Sequence, residues 1–261
     1  MLAAAGCSSA SNKSAGKGKD ASSSEPTVVA KDLQLASDET QQVKSLTAAL
    51  TVHSPGAGSG KLTGNVNLQL KPSTIIQATF NVAQPKSAAI QLGEILTSKA
   101  VYFKDPAFAK AAGKPWVTAN ISHLSSSVGV SLGSLLQNLE SSNPLDQARL
   151  FTASKNAHVV GTRTLHGVKT TEYAGTYLPK DALAELTPQL RKLMGPTLKS
   201  IGANPVQFEV WVDANHLIRQ AQDTDNVHGQ IVTTKLDVTS INKAVHIKLP
   251  PAGQVAPLPK I

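Results

Sequence analysis

Residues 206–222 read VQFEVWVDANHLIRQAQ. Val206, Phe208, Val210 and Val212 alternate with Gln207, Glu209, Trp211 and Asp213, the period of two that marks a strand with one face buried. Asp213-Ala214-Asn215-His216 reads as a turn, because Asp and Asn bond to their own main chain and tolerate left-handed backbone. Leu217 to Ala221 returns as a second strand. A tight turn sets Val212 opposite Leu217 and Phe208 opposite Ala221 on one side, with Trp211 meeting Ile218 on the other. Such a hairpin is marginal alone and requires a larger sheet.

The flanking chain supplies that sheet. Leu46, Ala48, Leu50 and Val52 alternate with small or polar residues, as do Leu62, Gly64, Val66, Leu68 and Leu70, and Thr74, Ile76, Ala78, Phe80 and Val82. Ser87–Leu96, Ala100–Phe103 and Trp116–Ile121 read as three more strands. Pro72 and Pro85 fall in the connections, where a missing donor does no harm. Ala157–Leu165 and Val168–Tyr177 form a hairpin through His166-Gly167. Ile231–Ile241 is a long strand and Val245-His246-Ile247 a short last one. Leu249 to Ile261 is Pro-rich and is expected to be extended and loosely held.

Helical spacing interrupts the strands. A short helix is expected from Ser37, as its cap, to Lys44. Val128, Leu132, Leu135, Leu136 and Leu139 share one helical face. Pro144 opens a further helix that runs to about Ser154. Lys180–Leu198 carries Leu183, Leu186, Leu190, Leu193 and Met194 on one side, and Pro188 kinks or divides it. These aliphatic helices are expected to cover one face of the sheet.

At 261 residues, with 41% hydrophobic but only 4% aromatic residues, the core must be aliphatic. Charged residues make up 16%, and Ser and Thr are abundant, a balance suited to an exported bacterial protein. The net charge of +8 favours anionic surfaces. The lysines are scattered without interleaved aromatics, which argues against nucleic acid as a partner.

The lone cysteine, Cys7, follows Leu2-Ala3-Ala4-Ala5-Gly6. This resembles the end of a bacterial lipoprotein signal, in which small residues precede a cysteine that becomes acylated. Ala4 departs from the usual Leu, and no basic or full apolar segment precedes the motif. Residues 1–6 are read as the remnant of a signal and Cys7 as the lipid anchor. Ser8 to about Pro26 is Ser, Ala, Gly and Lys with almost nothing apolar, a flexible tether spanning about 25 Å. The expectation is a domain held on the outer face of the cell membrane, with a single folded unit at 28–252 and a tail at 253–261.

Three segments carry a wider resemblance. They are Asn143-Pro144-Leu145 to Val159-Val160-Gly161-Thr162 with His166-Gly167-Val168-Lys169-Thr170-Thr171-Glu172-Tyr173; Glu209-Val210-Trp211-Val212-Asp213 with Leu217-Ile218-Arg219; and Val245-His246-Ile247 with Pro250-Pro251. Together with the motif at Cys7, they resemble the LppX/LprA/LprF/LprG lipoproteins of actinobacteria over about residues 30–252. His216 stands where that family usually has Gly. The resemblance implies an α+β fold. Its strongly curved antiparallel sheet is a half-barrel of about ten or eleven strands, similar to the LolA and LolB carriers, with helices packed on the concave face. It also implies an apolar cavity between sheet and helices, and a role in carrying lipid or glycolipid across the envelope.

Read by parity, the candidate cavity residues are Ala48, Leu50, Val66, Leu68, Ile76, Ala78, Phe80, Ile90, Leu132, Leu136, Phe208, Val210, Val232 and Leu236. A poorly filled aliphatic space would take an acyl chain at about 0.8 kcal/mol per methylene without any specific polar contact. The expected partners are lipid or glycolipid acyl chains, the membrane through acylated Cys7, and an envelope transporter or acceptor protein, with the chain itself monomeric. No cofactor and no metal is expected.

No set of residues in the sequence reads as a catalytic site. Gly129-Val130-Ser131-Leu132-Gly133 has the Gly-x-Ser-x-Gly spacing, but Ser131 is read as the cap of the helix expected over 128–139, not as a nucleophile on a strand-to-helix turn. His53, His123, His158, His166, His216, His228 and His246 are dispersed. Gly60-Lys61 is not a phosphate loop, since Pro55 and Leu62 occupy two of its required positions. Asp223-Thr224-Asp225-Asn226 lacks the Gly and distant Glu of a calcium loop and reads as a strand connection. No carboxylate pair stands out. The competing reading is a structural or signalling lipoprotein of the same fold with no open cavity, which binds a protein partner.

Overall fold

The computed structural model describes residues 26–54, 61–83, 88–120, 148–227 and 229–259. Cys7, the tether and the helix expected over 128–139, with Leu132 and Leu136, lie outside the described residues, as does the start of the helix expected from Asn143.

Among the described residues, twelve strands form one curled, open sheet. In chain order they are β1 (Ser45–His53), β2 (Lys61–Gln69), β3 (Ile75–Ala83), β4 (Ile90–Leu96), β5 (Ala100–Lys104), β6 (Trp116–Asn120), β7 (His158–Leu165), β8 (Val168–Tyr177), β9 (Val206–Asp213), β10 (Ile218–Val227), β11 (Gln230–Ile241) and β12 (Val255–Pro257). Their order across the sheet is β12-β6-β5-β4-β3-β2-β1-β11-β10-β9-β8-β7. Every pairing is antiparallel except β12 on β6. The meander of the first half and the five-strand run of the second, β7 to β11, meet where β1 pairs with β11. Lys44 N–H donates to Asn242 Oδ1 at 2.7 Å and Ser45 Oγ to the Lys243 carbonyl at 2.7 Å, which pins that seam.

The opening hairpin forms, in a different register. Asp213 Oδ1 accepts from the N–H groups of Asn215 (2.8 Å) and Leu217 (3.1 Å), and His216 takes the left-handed region at φ 57°. Asp213 Oδ2 also takes Arg219 Nε at 2.7 Å and Nη2 at 2.6 Å. This grip makes Arg219 the extra residue of a bulge, so Val212 faces Ile218 rather than Leu217, and Val210 rather than Phe208 faces Ala221. Trp211 meets Gln220, not Ile218. Its ring lies on the outer face beneath the Arg163 guanidinium, 4.7 Å from its centroid.

Helix α1 (Pro26–Gln41) begins earlier than expected and ends by Gln41. Val29, Leu33, Ala36 and Thr40 make its buried stripe, so Ser37 is an interior residue of the helix and not its cap. Helix α2 (Pro106–Ala112) adds to the expected elements, and its local signals are complete. Asp105 Oδ1 accepts from the Ala107 N–H at 2.7 Å, Pro106 fills the first position, and Gly113 closes the end at φ 66°. Helix α3 (Arg149–Thr152) is the described remnant of the helix read to Ser154. Pro188 does divide the next helix, into α4 (Pro179–Glu185) and α5 (Pro188–Ile201).

Val245-His246-Ile247 is not a strand. The twelfth strand lies instead in the segment read as a loose tail, where Val255–Pro257 lines up beside Trp116–Thr118. The Leu258 N–H donates to the Thr118 carbonyl at 2.8 Å, and its side chain packs with Leu96 and Val101. A three-residue parallel strand has no alternation to read, so pairing alone identifies it.

Candidate functional site

The register places the described candidate residues on one face. Ala48 pairs with Val66 and Val66 with Ala78; Leu46 pairs with Leu68, Leu68 with Ile76, Gly64 with Phe80 and Val82 with Ile90. In the other direction Ala48 pairs with Val238, Leu50 with Leu236, Leu236 with Ala221 and Ala221 with Val210. Side chains directly opposite share a face, and so do positions two apart. Ala48, Leu50, Val66, Leu68, Ile76, Ala78, Phe80, Ile90, Phe208, Val210, Val232 and Leu236 therefore form one continuous inner face.

Helices cover one end of it. Val29, Leu33 and Ala36 of α1, Leu150 and Phe151 of α3, Ala182 of α4, and Leu190, Leu198 and Ile201 of α5 pack with Tyr173, Tyr177, Phe208, Val210 and Val212. The Phe151 and Phe208 rings stack at 4.9 Å. The Phe208 ring can lie flat only because its neighbour is Gly175, where a Cβ would come within 3.1 Å of the ring and 3.0 Å of Ala157. Tyr173 Oη donates to Asp32 Oδ2 at 3.0 Å, and Arg149 Nη2 to Gln41 Oε1 at 2.9 Å, tying α1 to the sheet and to α3. Arg191 donates to the carbonyls of Leu183 (2.9 Å) and Leu186 (3.1 Å), closing the end of α4.

The middle of the inner face differs. Ala48, Leu68 and Ala78 are buried. Leu50, Leu62, Val66, Ile76, Phe80, Val82, Leu92, Val232 and Leu236 are only partly covered, and Ile90 is 42% exposed. The Phe80 ring lies across Gly64, where a Cβ would stand 2.5 Å from the ring. A recess of about 340 Å³ lies beside Ile90, walled by Lys104, Pro106, Ala109 and Pro115. Another of about 340 Å³, lined by Asn156, His158, Thr176, Gln207, Glu209 and Gln222, involves the polar outer face.

Sequence reasoning missed three acids on this inner face. Asp223 and Asp225 lie within β10, in a strand and not a connection, with Asp223 opposite Phe208 and Thr234, and Asp225 opposite Val232. Spacing i, i+2 in a strand puts both carboxylates on one side, a signal that a reading as loop discards. Asp223 Oδ1 and Asp225 Oδ1 are fully enclosed and have no hydrogen-bond partner among the described residues. Burial first, and then the charge of Asp225, pushes Asp223 up to about 7. Burial likewise raises Asp225. Tyr177 is raised by burial and then by both aspartates. Glu94, opposite Ala78 and Phe103, is raised by burial alone. Among the described residues no three His, Cys, Asp or Glu side chains come together as a metal site, and no helix is long and apolar enough to cross a membrane.

LprF of Mycobacterium bovis superposes on 87% of this chain and 99% of its own, with a TM-score of 0.50 and 16% identity. The Mycobacterium tuberculosis lipoprotein LppX covers 86% and 100%, with a TM-score of 0.50 and 17% identity. The fold is that of LprF and LppX. It is the α+β half-barrel that the three quoted segments imply, with twelve strands in place of ten or eleven. No protein-family profile and no curated protein sequence matches the chain.

Proposed function

We propose that this chain is an extracytoplasmic lipoprotein of the LppX/LprF kind that binds lipid acyl chains on its inner face and carries them within the envelope, without catalysis. The observation that supports this most is the uneven covering of that face. Helices close the β7–β10 end, while aliphatic side chains of β1–β4 and β11 stay half-exposed on a surface that would otherwise be core. Monomeric soluble proteins rarely leave such a contiguous apolar area open without a use for it. An acyl chain laid along it gains about 0.8 kcal/mol per buried methylene. The likeness to LprF and LppX in fold is consistent with this reading.

Cys7 would supply the anchor and residues 8–25 the reach. Cys7→Ser should move the protein from the membrane fraction to the soluble one, and retention at the membrane would refute acylation. The test of the carrier reading is organic extraction of the purified protein followed by mass spectrometry, paired with uptake of an uncharged apolar fluorophore. Co-purifying lipid and saturable uptake are expected. A protein that holds no lipid and excludes the fluorophore would instead be a partner-binding or signalling domain.

A further inference from the structure

We propose that Asp223 and Asp225 form a head-group seat on the inner face, one that accepts hydrogen bonds from the hydroxyls of an uncharged polyol or sugar lipid and turns away anionic head groups. The proposal rests on the reading of this face as an acyl-chain surface and adds the chemistry of the head. Its geometric basis is the strand register, which aims both carboxyls to the aliphatic side, two residues apart. Neither enclosed oxygen has a donor among the described residues. The facing side chains are Phe208 of β9, Val232 and Thr234 of β11 and, beyond them, Tyr177 of β8; α5 packs on β10 with Leu190, Leu198 and Ile201 among its buried residues. None of these is a cation. The nearby Arg219 is taken by Asp213, and Glu209 and Gln222 bond each other on the opposite face.

Buried carboxyls without donors are costly, and a chain selected only for packing would continue Ala221 with more aliphatics. An acyl chain brings no donor. Its head group can: vicinal hydroxyls donate to carboxylate oxygens and to a protonated carboxyl alike. A phosphate or carboxylate head brings a like charge into a poorly solvated site, where repulsion is strong. Glu94 adds to this selection from the other half of the face, where it too lacks a charged partner among the described residues.

The experiment uses the full chain loaded with N-phenyl-1-naphthylamine, an uncharged apolar probe, at pH 8. It is displaced by three lipids with one tail: monooleoylglycerol, oleylamine and oleyl sulfate. The wild type should release the probe to monooleoylglycerol at about tenfold lower concentration than to oleyl sulfate, the factor of one lost or repelled polar contact. The isosteric double variant Asp223→Asn/Asp225→Asn should close that gap to about twofold by admitting the sulfate. Should this variant fail to bind the probe, the wild type gives the second measure. Lowering the pH from 8 to 5.5 protonates Asp223 and should narrow the gap, since oleyl sulfate stays charged throughout. Equal displacement by all three lipids, or a gap untouched by both substitution and pH, overturns the seat while leaving the acyl-chain surface standing. Tighter binding of oleylamine than of monooleoylglycerol overturns the hydroxyl assignment. A wild type that takes up no probe fails the acyl-chain reading itself.

Discussion

Asp213 shows how much one side chain can fix. It accepts two main-chain N–H groups and the Arg219 guanidinium, with 2% of its side chain exposed. Asp213→Ala should cost about 3 kcal/mol, since it strands a largely buried Arg and two turn donors. Chemical denaturation would check it, and a loss below about 1 kcal/mol would mean the bulge holds without this grip. Asp223 sets a second expectation. Its folded value of about 7 lies above the ordinary 3.8. Below about pH 4 both states hold the proton; between pH 4 and 7 only the folded state does, so stability falls as pH rises and levels off above 7. Thermal melts at pH 5 and pH 8 should show a higher midpoint at pH 5, and Asp223→Asn should remove most of that difference. The same slope in both proteins would place the pH dependence elsewhere.

Among the elements, α1 is the one whose place depends on tertiary contacts. Its stripe of Val29, Leu33 and Ala36 is short of large side chains, and the Tyr173–Asp32 hydrogen bond adds a directional contact to the sheet. Tyr173→Phe should lower stability by about 1–2 kcal/mol and speed amide exchange in α1 more than in β8. Uniform acceleration across both would mean that α1 is an integral part of one cooperative unit. At the opposite edge, β12 and Leu258 cap β6, which would otherwise present unpaired backbone groups.

At the scale of the whole molecule, the inner face is buried at one end and half-open in the middle, and this difference decides where bulk can be added. Ala48 is 1% exposed, among Leu46, Leu68 and Val238, so enlarging it tests packing. Val66 lies between Ala48 and Ala78 with its side chain partly exposed. Val66→Trp should sharply reduce uptake of an apolar fluorophore while costing no more than about 1–3 kcal/mol of stability. Unchanged uptake with a stable fold would show that acyl chains lie elsewhere.

Strands β1–β9 and β11, the two later hairpins, the division of a helix at Pro188 and the parity of the inner face are legible in the sequence, because alternation and proline act within a few residues. The same locality makes α2 readable from Asp105-Pro106 and Gly113. The register at Arg219 was not legible, since it depends on which donors Asp213 reaches once the turn has closed. Nor was β12, which exists only by pairing with a distant strand. The partnerless state of Asp223 Oδ1 and Asp225 Oδ1 among the described residues is also a tertiary fact: sequence places two carboxyls on one side of a strand, but only the folded sheet and its helices enclose these oxygens away from the water that would have satisfied them.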